Sequence, residues 1–402
     1  MILLVNWGTL MVETATLPRV MLCLARVDTG GAPEHAFQLM KALSGQVDFH
    51  VTCPTDRPYF QRFVSLLGAD RIIEIPHRRL SPSALARMFR AVRECKIDII
   101  HSHGKGGGVY GRLVGLASGR RVIYTSHGMN PVAKDGQWYR DSDVWLDMIL
   151  GKITDATICV SEGEKAEIVG QHISKPDKLT VIENGVSNGL PRKHVNAPDA
   201  PLKLVAVSRF DPQKNPDELL ELVKILSRRD VPGGFHLTVL GDGAGRVDFE
   251  RGLDAGSLSE YVTMTGAVAD ARKVFRQSDM LVSTSVWEGM PLALLEAMSE
   301  GLPVVASDVV GNRDVVEDGK SGFLYPLGQP KAAADSVLLL ADASVRQGFG
   351  DAGRSLVAAK HSVAHMANQT LKVYHKVLQR QANQQPGDSY QKNDDVGRQE
   401  VV

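Results

Sequence analysis

Ser285-Val286-Trp287-Glu288-Gly289-Met290-Pro291-Leu292-Ala293-Leu294-Leu295-Glu296-Ala297-Met298-Ser299-Glu300-Gly301-Leu302-Pro303 is the stretch from which the fold can be read. Pro291 lacks the N–H that a first helical turn leaves unused, so a helix is expected from about Pro291 to Glu300. Gly301 and Pro303 stop it, and Leu292, Leu295 and Met298 form its core stripe. Ahead of it, the backbone N–H groups of Gly289 and Met290 point out of a positive helix end, where an anion is favoured by ~0.3–1 kcal/mol. Glu288 falls in that turn. Glu296 comes two turns later, where its carboxylate can accept hydrogen bonds from neutral hydroxyls. Read alone, Glu296 fits a solvated helix face equally well.

Working back along the chain, Leu202 to Val207 is a near-continuous apolar run, as expected of a parallel strand covered on both faces. It leads into Ser208-Arg209-Phe210-Asp211-Pro212-Gln213-Lys214-Asn215-Pro216. Asn215 is read as a cap and Pro216 as the first residue of a helix with Leu219, Leu222, Val223 and Leu226 at helical spacing. Arg209 and Lys214 thus land at a strand end and a helix start, where open α/β sheets bind anions. Two charge-assisted contacts there suit a pyrophosphate and would stabilise it as a leaving group. Either cation alone is as well explained as a surface charge.

Phe235 to Leu240 reads as another strand, entering the turn Gly241-Asp242-Gly243, where backbone comes close to something else. Further strands are expected at Tyr261 to Thr265, Asp279 to Thr284, Pro303 to Ser307 and Phe323 to Pro326, with helical patterns between them. This alternation predicts a Rossmann-like half.

In order along the chain, Ser-Arg-Phe with Lys214, then Gly-Asp-Gly, then Glu288 and Glu296 resemble the retaining group 1 (family 4) glycosyltransferases of GT-B fold. The similarity extends into the first half. There Arg19 to Arg26 reads as a strand, followed by Asp28-Thr29-Gly30-Gly31-Ala32-Pro33-Glu34-His35 and a helix bearing Phe37, Leu39, Met40 and Leu43. It continues through Asp98 to His103, Tyr124 to Gly128, Val160-Ser161 with Glu164, and Val181 to Val186, so that about residues 19 to 375 are covered.

The resemblance implies an α/β fold with two Rossmann-like domains facing across a cleft, a nucleotide-sugar donor gripped by the second and an acceptor by the first. Carried over by position, it gives Arg209 and Lys214 to the donor diphosphate, Glu296 to the ribose hydroxyls and Glu288 to the transferred sugar. Gly289 and Met290 supply backbone donors, with Pro291, Leu292 and Gly241 in the same binding set. His127 matches the family's histidine beside the sugar, and Gly30 with Gly31 the loop facing the phosphates. No side chain is an obvious nucleophile. The family's proposed route fits that absence, because the leaving phosphate helps deprotonate the acceptor on the same face while the protein positions and stabilises charge. No metal and no further cofactor are expected. After Asp308 the chain departs from the family pattern, with Gly311-Asn312-Arg313-Asp314 where relatives carry two glycines and a glutamate.

His101-Ser102-His103 also admits a metal-hydrolase reading, but a metal site needs further histidines and a placed carboxylate. His127 is one candidate, and no aspartate partner is evident. The two histidines are therefore expected to line the cleft or close the strand, with Lys105 and a Gly106-Gly107-Gly108 turn following.

Composition agrees with this organisation. A chain of 402 residues with 43% apolar content suggests two domains of roughly 180 residues, each with its own core. The expected layout is an N-terminal extension (1–18), an acceptor-side domain (19–190), a linker (191–200), a nucleotide-sugar domain (201–360), a last helix crossing back to the first domain (361–379) and a disordered tail (380–402). The start of the chain lacks the basic region of an export signal, and 18 uninterrupted apolar residues occur nowhere. Four cysteines without C-x-x-C spacing are read as reduced core residues, which favours the cytoplasm.

Charge is uneven although it sums to zero. Residues 1–195 hold 24 Lys or Arg against 19 Asp or Glu, and the remainder 22 against 27. Much of the first surplus lies between Arg71 and Lys96, in a helix capped by Ser81 and opened by Pro82. Leu85, Met88, Phe89 and Val92 form one side of it, with Arg87, Arg90 and Arg93 elsewhere. Such a helix either packs on its sheet with solvated arginines or lies on an anionic membrane surface. No nucleic-acid partner is expected.

Overall fold

The computed structural model describes residues 17–28, 30–128, 141–190, 200–268 and 270–382. Most of the expected N-terminal extension, linker and tail lies outside them.

Two all-parallel sheets carry the chain. The first contains β1 (Arg19–Leu24), β2 (Asp48–Cys53), β3 (Ile72–Glu74), β4 (Ile99–His103), β5 (Arg121–Thr125), β6 (Ala156–Cys159) and β7 (Leu179–Val181), in the order β3-β2-β1-β4-β5-β6-β7. The second contains β8 (Leu202–Val207), β9 (Phe235–Leu240), β10 (Val262–Gly266), β11 (Met280–Ser283), β12 (Val304–Ser307) and β13 (Gly322–Tyr325), in the order β10-β9-β8-β11-β12-β13. This is the pair of Rossmann-like sheets that the strand–helix alternation predicts. In each, the winding reverses between neighbouring strands, at β1/β4 and at β8/β11, which opens a crevice at the carboxyl ends of those strands. The central strands read as apolar runs because helices cover both their faces.

The glycines after β4 do not form a turn. They open a helix, Gly104–Ser118, that lies on the sheet. A Cβ at Gly107 would sit 2.2 Å from the Cys23 carbonyl oxygen, and one at Gly111 1.9 Å from Ser102 Oγ. Glycine costs helix propensity of about 1 kcal/mol per residue, and here close helix–sheet contact outweighs it. The same helix sends the buried Arg112 to Asp147, at 3.0 Å, and over the ring of Tyr124, 3.7 Å from its centroid.

The glycine-containing helix Ala343–Lys360, which periodicity does not reveal, packs on Leu292–Ser299, with Gly350 against the Gly301 carbonyl. The last helix, Val363–Ala382, buries Met366, Ala367, Val373, Tyr374 and Val377 in the core around β1 and β2. Cys23, Cys53, Cys95 and Cys159 are free thiols, and burial pushes Cys23 up to about 12. The basic helix Pro82–Glu94 buries Ala84, Met88 and Val92 and exposes Arg87, Arg90 and Arg93. No described helix is long and apolar enough to cross a membrane.

Candidate active site

A cleft of about 1190 Å³ runs between the carboxyl ends of the two sheets, and every residue singled out for the donor or the reaction lines it. Gly30 and Gly31 follow β1, His127 follows β5, Arg209 and Lys214 follow β8, Gly241 follows β9, and Glu288 to Leu292 with Glu296 follow β11. Residues far apart in sequence converge because both crevices open towards each other.

On the second sheet, the loop after β8 and the loop after β11 are laced together. Val286 N–H donates to the Gln213 carbonyl at 2.8 Å, Thr284 Oγ1 to the Lys214 carbonyl at 2.9 Å, and Gln213 Nε2 to the Trp287 carbonyl at 3.0 Å. This brings Lys214 Nζ within 2.6 Å of Glu288 Oε1, which also accepts from Ser285 Oγ at 2.8 Å. Arg209 is held by Asp211 at 2.9 Å and by Gln213. Asn215 occupies the cap position with φ 49°, but its side chain turns to Glu218 instead of capping the backbone. Asparagine tolerates that left-handed conformation. Pro291 is likewise the cap residue rather than the first helical one, and the helix spans Leu292–Ser299.

Glu296 lies deeper. Burial raises its carboxyl to about 7, with the negative charge of Glu34 across the cleft adding to the effect. Glu34 itself accepts from Arg62 at 2.7 Å and Tyr59 at 2.8 Å. Two acids from opposite domains therefore face the same space, one paired and one held near neutrality.

The first sheet contributes imidazoles. His35, His103 and His127 bring ring nitrogens within 4.8 Å of one another, and His103 Nδ1 shares a hydrogen bond with His127 Nε2 at 3.0 Å. His103 Nε2 is buried without a partner. His35 Nδ1 contacts Asn184 Oδ1 at 2.9 Å, and His101 is fixed by Tyr374 and Thr125, each at 2.8 Å. Burial lowers all four, His35 to about 4 and His101 to about 3, so the cluster is neutral at pH 7. His101 and His103 thus close β4, with His103 facing the cleft. The three clustered rings offer nitrogen ligands without a carboxylate among them.

His127 has φ 62°, and its loop is braced by Glu164, which sequence reading quoted without a role. The buried Glu164 carboxylate accepts from Ser126 Oγ, Gly128 N–H and, at 2.7 Å, Val160 N–H. That loop touches the donor side directly, since a Cβ on Gly128 would lie 2.9 Å from the Gly289 nitrogen. A Cβ on Gly30, at φ 125°, would lie 3.7 Å from Arg209 Nη1. Asn184, also missed, donates to the Met290 carbonyl at 2.8 Å and ties the domains beside the site. Its signal was the stretch Ile182-Glu183-Asn184-Gly185 just after β7. Asp314, the departure from the family pattern, is wedged against Gly163 with its Oδ2 buried and unpartnered.

The arrangement offers two cations for an anion, acids for hydroxyls and a neutral imidazole beside them. Known proteins are similar in the same places. A family model described as Glycosyltransferase Family 4 matches residues 29–188, and one described as Glycosyl transferases group 1 matches 201–343. The UDP-Gal:alpha-D-GlcNAc-diphosphoundecaprenol alpha-1,3-galactosyltransferase of Escherichia coli is 28% identical over 274 residues, 65% of this chain and 71% of that protein. Sucrose-phosphate synthase from Thermosynechococcus elongatus superposes with a TM-score of 0.75 at 22% identity, over 91% of this chain and all of that one. HepE from Anabaena, solved with UDP and glucose, gives 0.74 at 16% identity over 90% of this chain and all of that one.

Proposed function

We propose, for a chain that belongs to the group 1 (family 4) glycosyltransferases of GT-B fold, that it moves a hexosyl or N-acetylhexosaminyl unit from a nucleoside-diphosphate sugar to a hydroxyl acceptor with retention. The acceptor belongs to a bacterial surface polysaccharide or glycolipid, in keeping with the similarity to the galactosyltransferase of Escherichia coli and to a capsular polysaccharide biosynthesis glycosyltransferase of Staphylococcus aureus. The observation that carries this reading is the meeting of Arg209, Lys214 and Glu288 with His127 and Gly30 in one cleft between two crevices.

In this reading Arg209 and Lys214 hold the diphosphate, and Lys214 exchanges its bond to Glu288 for phosphate oxygen while Glu288 turns to sugar hydroxyls. Glu296 takes the ribose hydroxyls, and neutral His127 hydrogen-bonds the sugar. As the glycosidic bond to phosphate breaks, charge grows on the leaving oxygen, where Arg209, Lys214 and the N–H groups of Gly289 and Met290 stabilise it. The departing phosphate takes the acceptor's proton on the same face, and no metal takes part.

Turnover of a panel of uridine, guanosine and adenosine sugar donors, with the product's anomeric configuration read by NMR, tests the proposal. Activity that survives both Lys214→Ala and Glu296→Ala would overturn it.

The enzyme works on the cytoplasmic side of the plasma membrane, docking through the exposed arginines of Pro82–Glu94. Pelleting with anionic vesicles should weaken on reversing Arg87 and Arg90, and pelleting indifferent to the reversal would remove this contact.

A further inference from the structure

The donor side of the cleft already carries cations enough for one diphosphate, yet a second basic group stands opposite. Arg26 follows β1, Lys105 lies in the first turn of the helix after the neighbouring β4, and Arg78 follows β3. All three line the cleft. Arg78 is held against the end of β1 by its N–H, which donates to the Ala25 carbonyl at 3.0 Å. Its φ of 47° is a left-handed conformation that a long side chain adopts at a cost, and such strain clusters at ligand sites. Its guanidinium is pulled down first by partial burial and then by the charge of Arg26, with Arg209 a further contribution, so these like charges are close. Asp28, paired with Arg26, and Asp211, paired with Arg209, offset part of that repulsion, and the net shift of Arg78 is still downward.

Like charges gathered at the carboxyl end of a sheet reward an anion that bridges them. The donor's diphosphate is assigned to Arg209 and Lys214, and a second anion entering from the first domain belongs to the other substrate. From this placement we infer that Arg26, Arg78 and Lys105 form an acceptor-side anion subsite, which takes the phosphate or diphosphate ester of an acceptor sugar. The inference rests on the transferase reading and names its acceptor's chemistry. A free sugar phosphate and a lipid-linked sugar diphosphate share that chemistry.

Inorganic pyrophosphate, titrated calorimetrically into the full-length protein already saturated with UDP, is the test. UDP binding is measured first and alone, so failure of the nucleotide reading shows there and not in the second titration. Pyrophosphate should bind the UDP-saturated protein, and Arg26→Ala and Arg78→Ala should each weaken it about ten-fold while changing UDP affinity less than two-fold. Unchanged melting temperatures establish that the variants fold. Absence of a pyrophosphate site beside UDP, or equal loss of UDP and pyrophosphate binding in the variants, overturns the inference. In a second arm, N-acetylglucosamine 1-phosphate and a short-chain prenyl diphosphate-linked N-acetylglucosamine compete with pyrophosphate. Tighter binding of the first supports a soluble acceptor at the subsite and of the second a lipid carrier, whereas equally effective competition by neutral N-acetylglucosamine overturns it.

Discussion

Lys214 Nζ and Glu288 Oε1 lie 2.6 Å apart, and both side chains are largely withdrawn from water, with exposures of 14% and 10%. Removing one partner strands the other's charge in a cleft of lowered dielectric, which costs about 3 kcal/mol, whereas removing both as apolar isosteres costs little. Lys214→Met should therefore lower stability by about 3 kcal/mol and kcat/KM by ~10²-fold or more. The double variant Lys214→Met/Glu288→Leu should regain most of the stability and none of the activity. Denaturant unfolding alongside donor turnover reads both, and a double variant that recovers activity would contradict the assigned roles.

Much of this pair was legible in the sequence because local rules place each partner. An apolar strand puts Arg209 and Lys214 at its end, and a proline-led helix puts Glu288 just before its start. What periodicity could not show is that the pair meets, because that depends on hydrogen bonds between the loops after β8 and β11. The run Gly106-Gly107-Gly108 was misread as a turn for a related reason. Glycine's low helix propensity is a local property, and its fit against Cys23 and Ser102 is a tertiary one. Glu164 was visible as a residue but not as a brace, since its three partners come from two other strand ends.

That brace gives a second prediction. Glu164→Gln keeps the shape but replaces an oxygen that accepts with a nitrogen that donates, so one of three buried donors loses its partner. The expected cost is about 1–3 kcal/mol of stability. Because the loop carries His127, kcat should fall about ten-fold with little change in donor KM, as positioning losses do. A rise in donor KM with kcat intact would place Glu164 outside this role.

Glu296 predicts a proton signature. Its carboxyl sits at about 7, so near neutrality about half the molecules carry the proton, while hydroxyls of a ribose are best bound by the ionised form. Donor binding should release a fraction of a proton at pH 7, and apparent affinity should weaken as pH falls below about 7. Calorimetry of nucleotide binding in buffers of different ionisation enthalpy measures the release, and Glu296→Gln should abolish it. Release unchanged in that variant would assign the proton to another group.

Two glycines in helices should respond with opposite sign to alanine. Gly107 has no space, since the added methyl meets the Cys23 carbonyl at 2.2 Å, and Gly107→Ala should destabilise by about 1–3 kcal/mol. Gly348 in Ala343–Lys360 has nothing within 4 Å of the same atom, so Gly348→Ala should stabilise by ~0.5–1 kcal/mol through helix propensity. Thermal melts of the two variants separate packing from propensity.

The histidine cluster sets the acid limit of the fold. A histidine whose native value lies below its unfolded 6.5 contributes stability that is complete above about 6.5, and loses it as pH falls towards the native value. His35, lowered to about 4, accounts for ~3 kcal/mol across that window, and His101, at about 3, for at least as much. His103 and His127 act in the same direction. Glu296 and Glu167 oppose them, because each is raised to about 7 and so binds its proton more readily in the native state as pH falls from 7 towards 4.5. His361, lowered to about 4, and His50 act with the cluster, while Glu164, Glu183 and Glu218 are raised like Glu296 and Glu167. Six imidazoles, four of them deeply buried in the cluster, against five carboxyls leave a net loss, so the melting temperature should decline steadily between pH 6.5 and 4.5. His35→Asn, which keeps a polar group near Asn184 but no titrating one, should make that decline shallower while lowering the melting temperature at pH 7. Calorimetric scans at half-unit pH steps decide it, and a melting temperature that holds level or climbs towards pH 4.5 would show that the imidazoles are not kept neutral by the fold.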